Sequence, residues 1–217
     1  MLVVAAGLFA RTFESLTARH LGFDREGILL VTIDTGRANV DPTRRAALYQ
    51  RAREAVLTVP GVAHAAVSSR PPVVSGGMLG QPIQDVSGGP PLPPNGRLST
   101  LNLVSPGWFE TFGIVFVAGR DITDRDRLGT PPVVVVNETF ARVFLNGANP
   151  VGHTITLFLP GPPPPPIEIV GVVGDAVYAR SLRDPIGPTI YLPLAQRDGV
   201  WLPFLTSMNL SVRSSGG

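Results

Sequence analysis

No cysteine occurs among the 217 residues. That excludes disulfides, thiolate-ligated zinc and a cysteine nucleophile, and it is compatible with either a cytoplasmic or an extracytoplasmic location. Lysine is absent too, so all 18 basic residues are arginines, set against 16 acidic residues. The net charge of +2 is no strong positive field, although the pI is near 9.6. Nucleic-acid binding needs a concentrated basic stripe with stacking aromatics. The arginines are instead scattered and aromatics make up only 7% of the chain, so no nucleic-acid partner is expected. Arg44, Arg45, Arg51 and Arg53 share one predicted helix, where they read as a solvated face.

The opening run Met1–Ala10 is apolar and uncharged. It is short of the roughly 20 residues that cross a bilayer, and it lacks the basic region that precedes the apolar core of a signal peptide. Two readings stay open. It is the end of a membrane helix whose start lies outside this sequence, or an amphipathic helix with Leu8, Phe9, Phe13 and Leu16 packed on the domain. Arg11 and Arg19 just beyond it weigh towards the cytoplasmic side.

Catalytic patterns are missing as well. His20, His64 and His153 stand alone, outside any H-E-x-x-H arrangement. Ser68, Ser69 and Ser75 lie near glycines without a G-x-S-x-G elbow. Gly171-Val172-Val173-Gly174-Asp175 follows an apolar strand but lacks the third glycine and the lysine of nucleotide loops, and reads as a strand-ending turn. Asp121, Asp124 and Asp126 have the look of a calcium loop. Counted from Asp121, however, the sixth position is Asp126 rather than glycine and the twelfth is Pro132 rather than glutamate. A solvated turn with capping aspartates is the expectation there. No catalytic, cofactor-binding or metal residue is assigned, no cofactor is expected, and the chain is read as not an enzyme.

What the chain does have is 44% hydrophobic residues, 24 glycines and 23 prolines, the make-up of a packed core with many turns. Ile28–Ile33 predicts a strand. Asp41-Pro42 opens a helix that Pro60-Gly61 ends, with Ala46, Ala47, Tyr49, Ala52, Ala55, Val56 and Val59 as its apolar face. Val62–Ser68 is a second strand, so strand, helix and strand form a β-α-β unit with both strands parallel in one sheet. Residues 70–97 are Gly/Pro-rich and predict a long loop, with room for short strand-like pieces near Gln81–Val86. Leu98–Val104, Val133–Val136, His153–Leu159, Ile167–Val173, Thr189–Leu192 and Asn209–Val212 read as further strands. Asn137 caps a helix over Glu138–Phe144, and the proline run at 162–166 reads as a stiff connection between two strands.

The stretch Leu103–Thr123 joins these pieces most tightly. Ser105-Pro106 predicts a helix start, Trp108, Phe109 and Phe112 an aromatic face, Gly113 a stop, Ile114–Val117 a buried strand, and Gly119-Arg120-Asp121 a turn.

Val104-Ser105-Pro106-Gly107-Trp108-Phe109, then Phe112-Gly113-Ile114 and Gly119-Arg120-Asp121, resemble the extracytoplasmic core domain of MacB-type and FtsX-type ABC transporter permeases. The resemblance runs along nearly the whole chain. It takes in Gly7-Leu8-Phe9 with Arg11, Gly22-Phe23-Asp24, Pro60-Gly61-Val62, Ala65-Ala66-Val67-Ser68-Ser69 and Val135-Val136-Asn137-Glu138. It closes with Asn149-Pro150-Val151-Gly152, Ile169–Asp175 and Ile190-Tyr191-Leu192-Pro193, and it is nearest to permeases that carry two such domains.

The resemblance implies an α+β fold of two subdomains. Residues 1–20 would be the end of a transmembrane helix. Residues 27–118, with a C-terminal strand at 204–213, would form a porter-like β-α-β sandwich-type unit. Residues 119–203 would be an inserted mixed-strand, sabre-like subdomain. It further implies a piece of a longer permease, placed on the extracytoplasmic or periplasmic side of the cell (inner) membrane, with further membrane helices beyond the C-terminus. The implied partners are the membrane, an ABC ATPase subunit or domain, an adaptor protein, and a second copy of the domain in a homodimer or pseudo-dimer. The implied role is non-catalytic: coupling ATP-driven motion of membrane helices to export or to partner engagement outside. It also implies that the N-terminal apolar segment and the C-terminus lie close together and point the same way. The competing expectation is a soluble module that binds a small ligand or peptide in the cleft between subdomains.

Overall fold

The computed structural model describes residues 21–72, 80–159, 164–177, 185–196 and 206–216. The apolar segment 1–20, with His20, lies outside them, as do Ser75 and the first part of the proline run. Among the described residues no helix is long and apolar enough to cross a membrane.

The strands are β1 (Ile28–Asp34), β2 (Val62–Ser68), β3 (Gly80–Val86), β4 (Arg97–Val104), β5 (Phe116–Gly119), β6 (Val133–Asn137), β7 (Thr154–Leu157), β8 (Ile167–Val173), β9 (Thr189–Pro193) and β10 (Ser207–Ser214). The helices are α1 (Arg45–Leu57), α2 (Trp108–Thr111) and α3 (Glu138–Leu145). A single hydrogen-bonded network links these ten strands.

Six strands close on themselves. β4 pairs with β3, β3 with β7, β7 with β8, β8 with β6, β6 with β9, and β9 returns in parallel to β4. Closure removes the unpaired edges an open sheet presents, and a ring this small is filled by side chains. Period-2 alternation supplies them: Ile83, Leu101, Leu103, Val134, Val136, Ile155, Leu157, Ile190 and Leu192 fall into one buried cluster. On β8, Ile167, Ile169 and Val172 join the same cluster because a register shift opposite Val134 and Val135 inserts one extra residue. From α3, Phe140 and Phe144 stack at 4.4 Å and complete the packing.

Three strands form a wing on the ring. β10 lies between β1 and β2, antiparallel to both. The two strands of the predicted β-α-β unit are therefore parallel but not neighbours. Hydrogen bonding from the wing to the ring runs through Ser68 opposite Val104, with flanking bonds from Ser69 to Leu103 and from Ser105 to Val67. Strands on both sides of the expected 118/119 boundary thus share one ring.

Several expectations need correction. In the Gly/Pro-rich segment 70–97 the strand-like piece allowed near Gln81–Val86 is a full strand, β3, hydrogen-bonded on both edges. Helix α1 is preceded by a 3-10 turn, Pro42–Arg44, capped by the Asp41 carboxylate as expected. Its buried face differs, however, for Ala47, Ala55 and Val59 are exposed whereas Tyr49 and Arg45 are buried. The arginines of α1 are not a common solvated face. Arg45 donates to the Val40 carbonyl, and Arg53, whose side chain is only 15% exposed, donates to the Ala65 carbonyl. Long arginine stems bury readily when the head finds an acceptor. Ser105 does not cap α2. Gly107, at φ +77°, occupies the N-cap, and the Ser105 hydroxyl accepts from the Val67 amide instead. β5 is an edge strand with Val115 and Val117 exposed, not a buried one.

Candidate functional site

The described chain enters and leaves side by side. β1 and β10 pair from Ile28 opposite Arg213, and the Ser214 amide donates to the Gly27 carbonyl. Arg213 fastens this junction. Its Nε donates to the Thr111 carbonyl, Nη1 to the Asp24 carboxylate at 2.7 Å, and Nη2 to the Asp24 carbonyl at 3.0 Å. The Glu26 amide and Arg213 hold the Asp24 carboxyl below its usual range. The Asp24 amide donates to the Phe112 carbonyl, so incoming chain, outgoing strand and α2 meet at one guanidinium.

α2 carries that junction to the ring. Trp108 and Phe109 are buried and lie 5.4 and 4.9 Å from Tyr191 on β9. Phe109 meets Phe116 of β5, and Phe112 meets Phe23 beside the incoming chain. These rings form a second core on the outer face of the ring strands, with Val133, Val135, Val170 and Val173. Edge-to-face and tilted contacts of this kind add to simple burial.

The turn after β5 is a clamp. Arg120 grips Asp126 with two hydrogen bonds of 2.8 and 2.9 Å, and the Thr123 amide adds a third to the same carboxylate. Burial alone would raise Asp126, but Arg120 and Thr123 hold it below the usual range. Gly119, at φ +76°, makes the turn possible, since a Cβ there would sit 2.2 Å from the Val170 carbonyl oxygen. The sequence expectation of a solvated turn fails at Asp126, which is buried.

A match to the model of the MacB-like periplasmic core domain covers residues 1–215. The chain belongs to this family. No curated protein matches it. Among solved structures, the periplasmic region of MacB from Actinobacillus actinomycetemcomitans superposes with a TM-score of 0.54 at 16% identity, over 93% of this chain and 80% of that one. The extracellular domain of the noncanonic ABC-type transporter YknZ from Gram-positive bacteria gives 0.53 at 16% identity, over 87% and 83%. Both share the fold.

In this MacB-like domain the motifs of the sequence have structural positions. His64 lies 3.4 Å from Glu110, linking β2 to α2. The His153 ring nitrogen meets the Ser87 carbonyl, and Ser69 bonds to Asn102. Gly171-Val172-Val173-Gly174-Asp175 ends β8, and Asp175 then accepts from Asn137 and Thr139 at the start of α3. The Arg213 junction escaped sequence reading, since a lone arginine near a chain end carries no pattern.

Asp121 is the titratable group that burial perturbs most clearly. Burial, together with Glu110 and Asp126 nearby, pushes its carboxyl up to about 6 despite the Ile122 amide that it accepts. The folded state therefore keeps a proton that the unfolded chain releases. The stabilisation is complete below about pH 4 and is lost as pH rises through about 6. Asp121→Asn keeps the amide acceptor and removes the buried charge. Thermal melts should show it more stable than the parent at pH 7.5, by roughly 1 kcal/mol after allowing for solvent screening. The gain should shrink towards pH 4. An equal gain at both pH values would contradict this.

Proposed function

We propose that this domain is the non-catalytic, extracytoplasmic part of an ABC transporter permease of the cell membrane. In this reading it relays movement of the membrane helices, driven by an ABC ATPase subunit or domain, to export or to partner engagement outside. Its partners are the membrane, that ATPase, an adaptor protein and a second copy of the domain. The observation that supports it best is the junction at Arg213. A domain inserted between two membrane helices must receive force where its chain enters and leaves, and here both points are tied to α2 by one side chain. From α2 the path runs through Trp108 and Phe109 to Tyr191 in the ring. The porter-like part (27–118 with 204–213) and the sabre-like part (119–203) then move as one body, because the ring draws strands from both.

The test uses the full-length permease with its ATPase. One spin label replaces Phe158, which is exposed on the ring, and another sits at the outer end of a membrane helix. Trapping the ATP-bound state should change the distance between labels in the parent. Arg213→Ala should suppress that change while ATP hydrolysis continues. Arg213→Lys should recover little, since an ammonium cannot reproduce the forked contacts. An unchanged distance shift in Arg213→Ala, or failure of a membrane-impermeant maleimide to reach a cysteine at position 158 in intact cells, would overturn the reading.

A further inference from the structure

A cavity of about 230 Å³ lies where the wing meets the ring, on the side of α1. Its apolar wall is Tyr49, Val67, Pro106 and Leu194, and its charged groups are Arg53, Arg127 and Asp124. Arg53 is the unusual member. Its side chain is mostly buried, and its Nε is occupied by the Ala65 carbonyl. Among the described residues its two terminal nitrogens have no hydrogen bond, only an ion pair at 4.0 Å with the exposed Asp124. A guanidinium pinned through its Nε, with its terminal nitrogens at the cavity, is placed to receive a two-oxygen acceptor. Two arginines against one aspartate leave the lining one charge positive, which favours a singly charged anion.

We propose that this cavity binds a carboxylate carried on a short apolar stem. The carboxylate takes the Arg53 fork in the paired geometry that guanidinium favours, with Arg127 adding charge at the rim. The stem lies along Tyr49, Val67 and Leu194. The volume is below the usual range for drug-sized ligands, about 300–1,000 Å³, so the occupant is a small amphiphile or the end of a longer chain. A medium-chain fatty acid and a peptide C-terminus with an apolar last residue offer the same chemistry. Because α1 belongs to the wing while Thr123, Asp124 and Leu194 belong to the ring side, an occupant would bridge the two.

The experiment titrates the 217-residue chain with octanoate, N-acetyl-leucine and octanamide, followed by calorimetry and by amide NMR shifts. Saturable binding of octanoate or of N-acetyl-leucine, with shifts centred on Arg53, Val67 and Leu194, supports the site. Whichever of the two binds tighter identifies the source. Arg53→Lys keeps the charge but loses the fork, and should weaken binding roughly tenfold, as expected for losing one charge-assisted hydrogen bond. Ala46→Leu fills the cavity and should abolish binding while the melting curve confirms the fold. No saturable binding of either acid overturns the proposal. So does octanamide binding as well as octanoate, or binding that both variants leave intact. The relay reading is untouched by these outcomes, since it rests on Arg213 and not on the cavity.

Discussion

Replacing Asn137 with leucine is expected to lower the unfolding free energy by about 2–4 kcal/mol, summed over the lost helix cap at the Phe140 amide and the Thr189 amide left buried without its acceptor. Asn137 is fully buried at the end of β6. Its Oδ1 accepts from the Phe140 amide at 3.0 Å and the Thr189 amide at 2.8 Å. Its Nδ2 donates to the Asp175 carboxylate at 2.8 Å and to the Gly187 carbonyl at 3.0 Å. Both donors and both acceptor positions of the amide are used, and the two amide donors fix which way it points. Leucine matches the volume and gains apolar burial, but it leaves the Phe140 and Thr189 amides without their acceptor, while the Gly187 carbonyl keeps the Thr189 hydroxyl at 3.3 Å. The variant Asn137→Asp would keep the acceptor side and face the Asp175 carboxylate with a like charge. Its stability should therefore rise as pH falls through the carboxylate range, by more than that of leucine, which adds no charge. Urea denaturation at pH 4.5 and 7.5 separates the two; a leucine variant within about 1 kcal/mol of the parent would show that relaxed backbone or water replaces the network.

The same residue shows how far local chemistry reaches. Asn137 as a helix cap was readable from its place between Val133–Val136 and an amphipathic segment, and the cap is there. Its bonds to Thr189 and Gly187 were not readable, because they depend on residues about fifty positions away. The strands rich in β-branched residues, β1, β6, β8 and β9, were legible for the same local reason, and β2 from its place after the Pro60-Gly61 helix stop. β3 was only hinted at, because Pro82 and the flanking glycines argue against a strand unless partners on both edges hold it. Ring closure was not legible at all. It requires β9 to return to β4 across almost ninety residues, and no periodicity records that pairing. The aromatic stretch around Trp108 was legible as a centre of organisation, but not as the contact between the chain ends and the ring. Arg45 and Arg53 were misread because charge predicts exposure on average, whereas these heads reach carbonyls at the base of α1 and on β2.

Trp108→Ala should cost about 3–5 kcal/mol, the range for truncating a fully buried large aromatic. Trp108 is wholly buried, with the rings of Phe112, Phe109 and Tyr191 centred 5.0, 5.2 and 5.4 Å away. α2 is only four residues long and has no side-chain cap, so its own hydrogen bonds cannot hold it in place. Arg213 and the Asp24 amide fasten its C-terminal end, and the aromatic contacts must hold its inner face against the ring. Removing the indole opens a cavity between α2 and β9, and the bonds from Arg213 and Asp24 to the end of α2 keep the helix from shifting fully into the space. Trp108→Phe is the informative partner. It retains an aromatic contact, should cost less than half as much as the alanine variant, and should leave a folded domain by far-UV circular dichroism. In the full-length permease that folded variant tests the relay without the confusion of unfolding. A domain that passes motion through α2 should show a weakened ATP-dependent distance change in Trp108→Phe, with the Arg213 junction intact. If Trp108→Phe moves as the parent does while Arg213→Ala does not, force reaches the ring by another path, and the hydrogen bonds between β2 and β4 around Ser68, Ser69 and Ser105 become the route to break next.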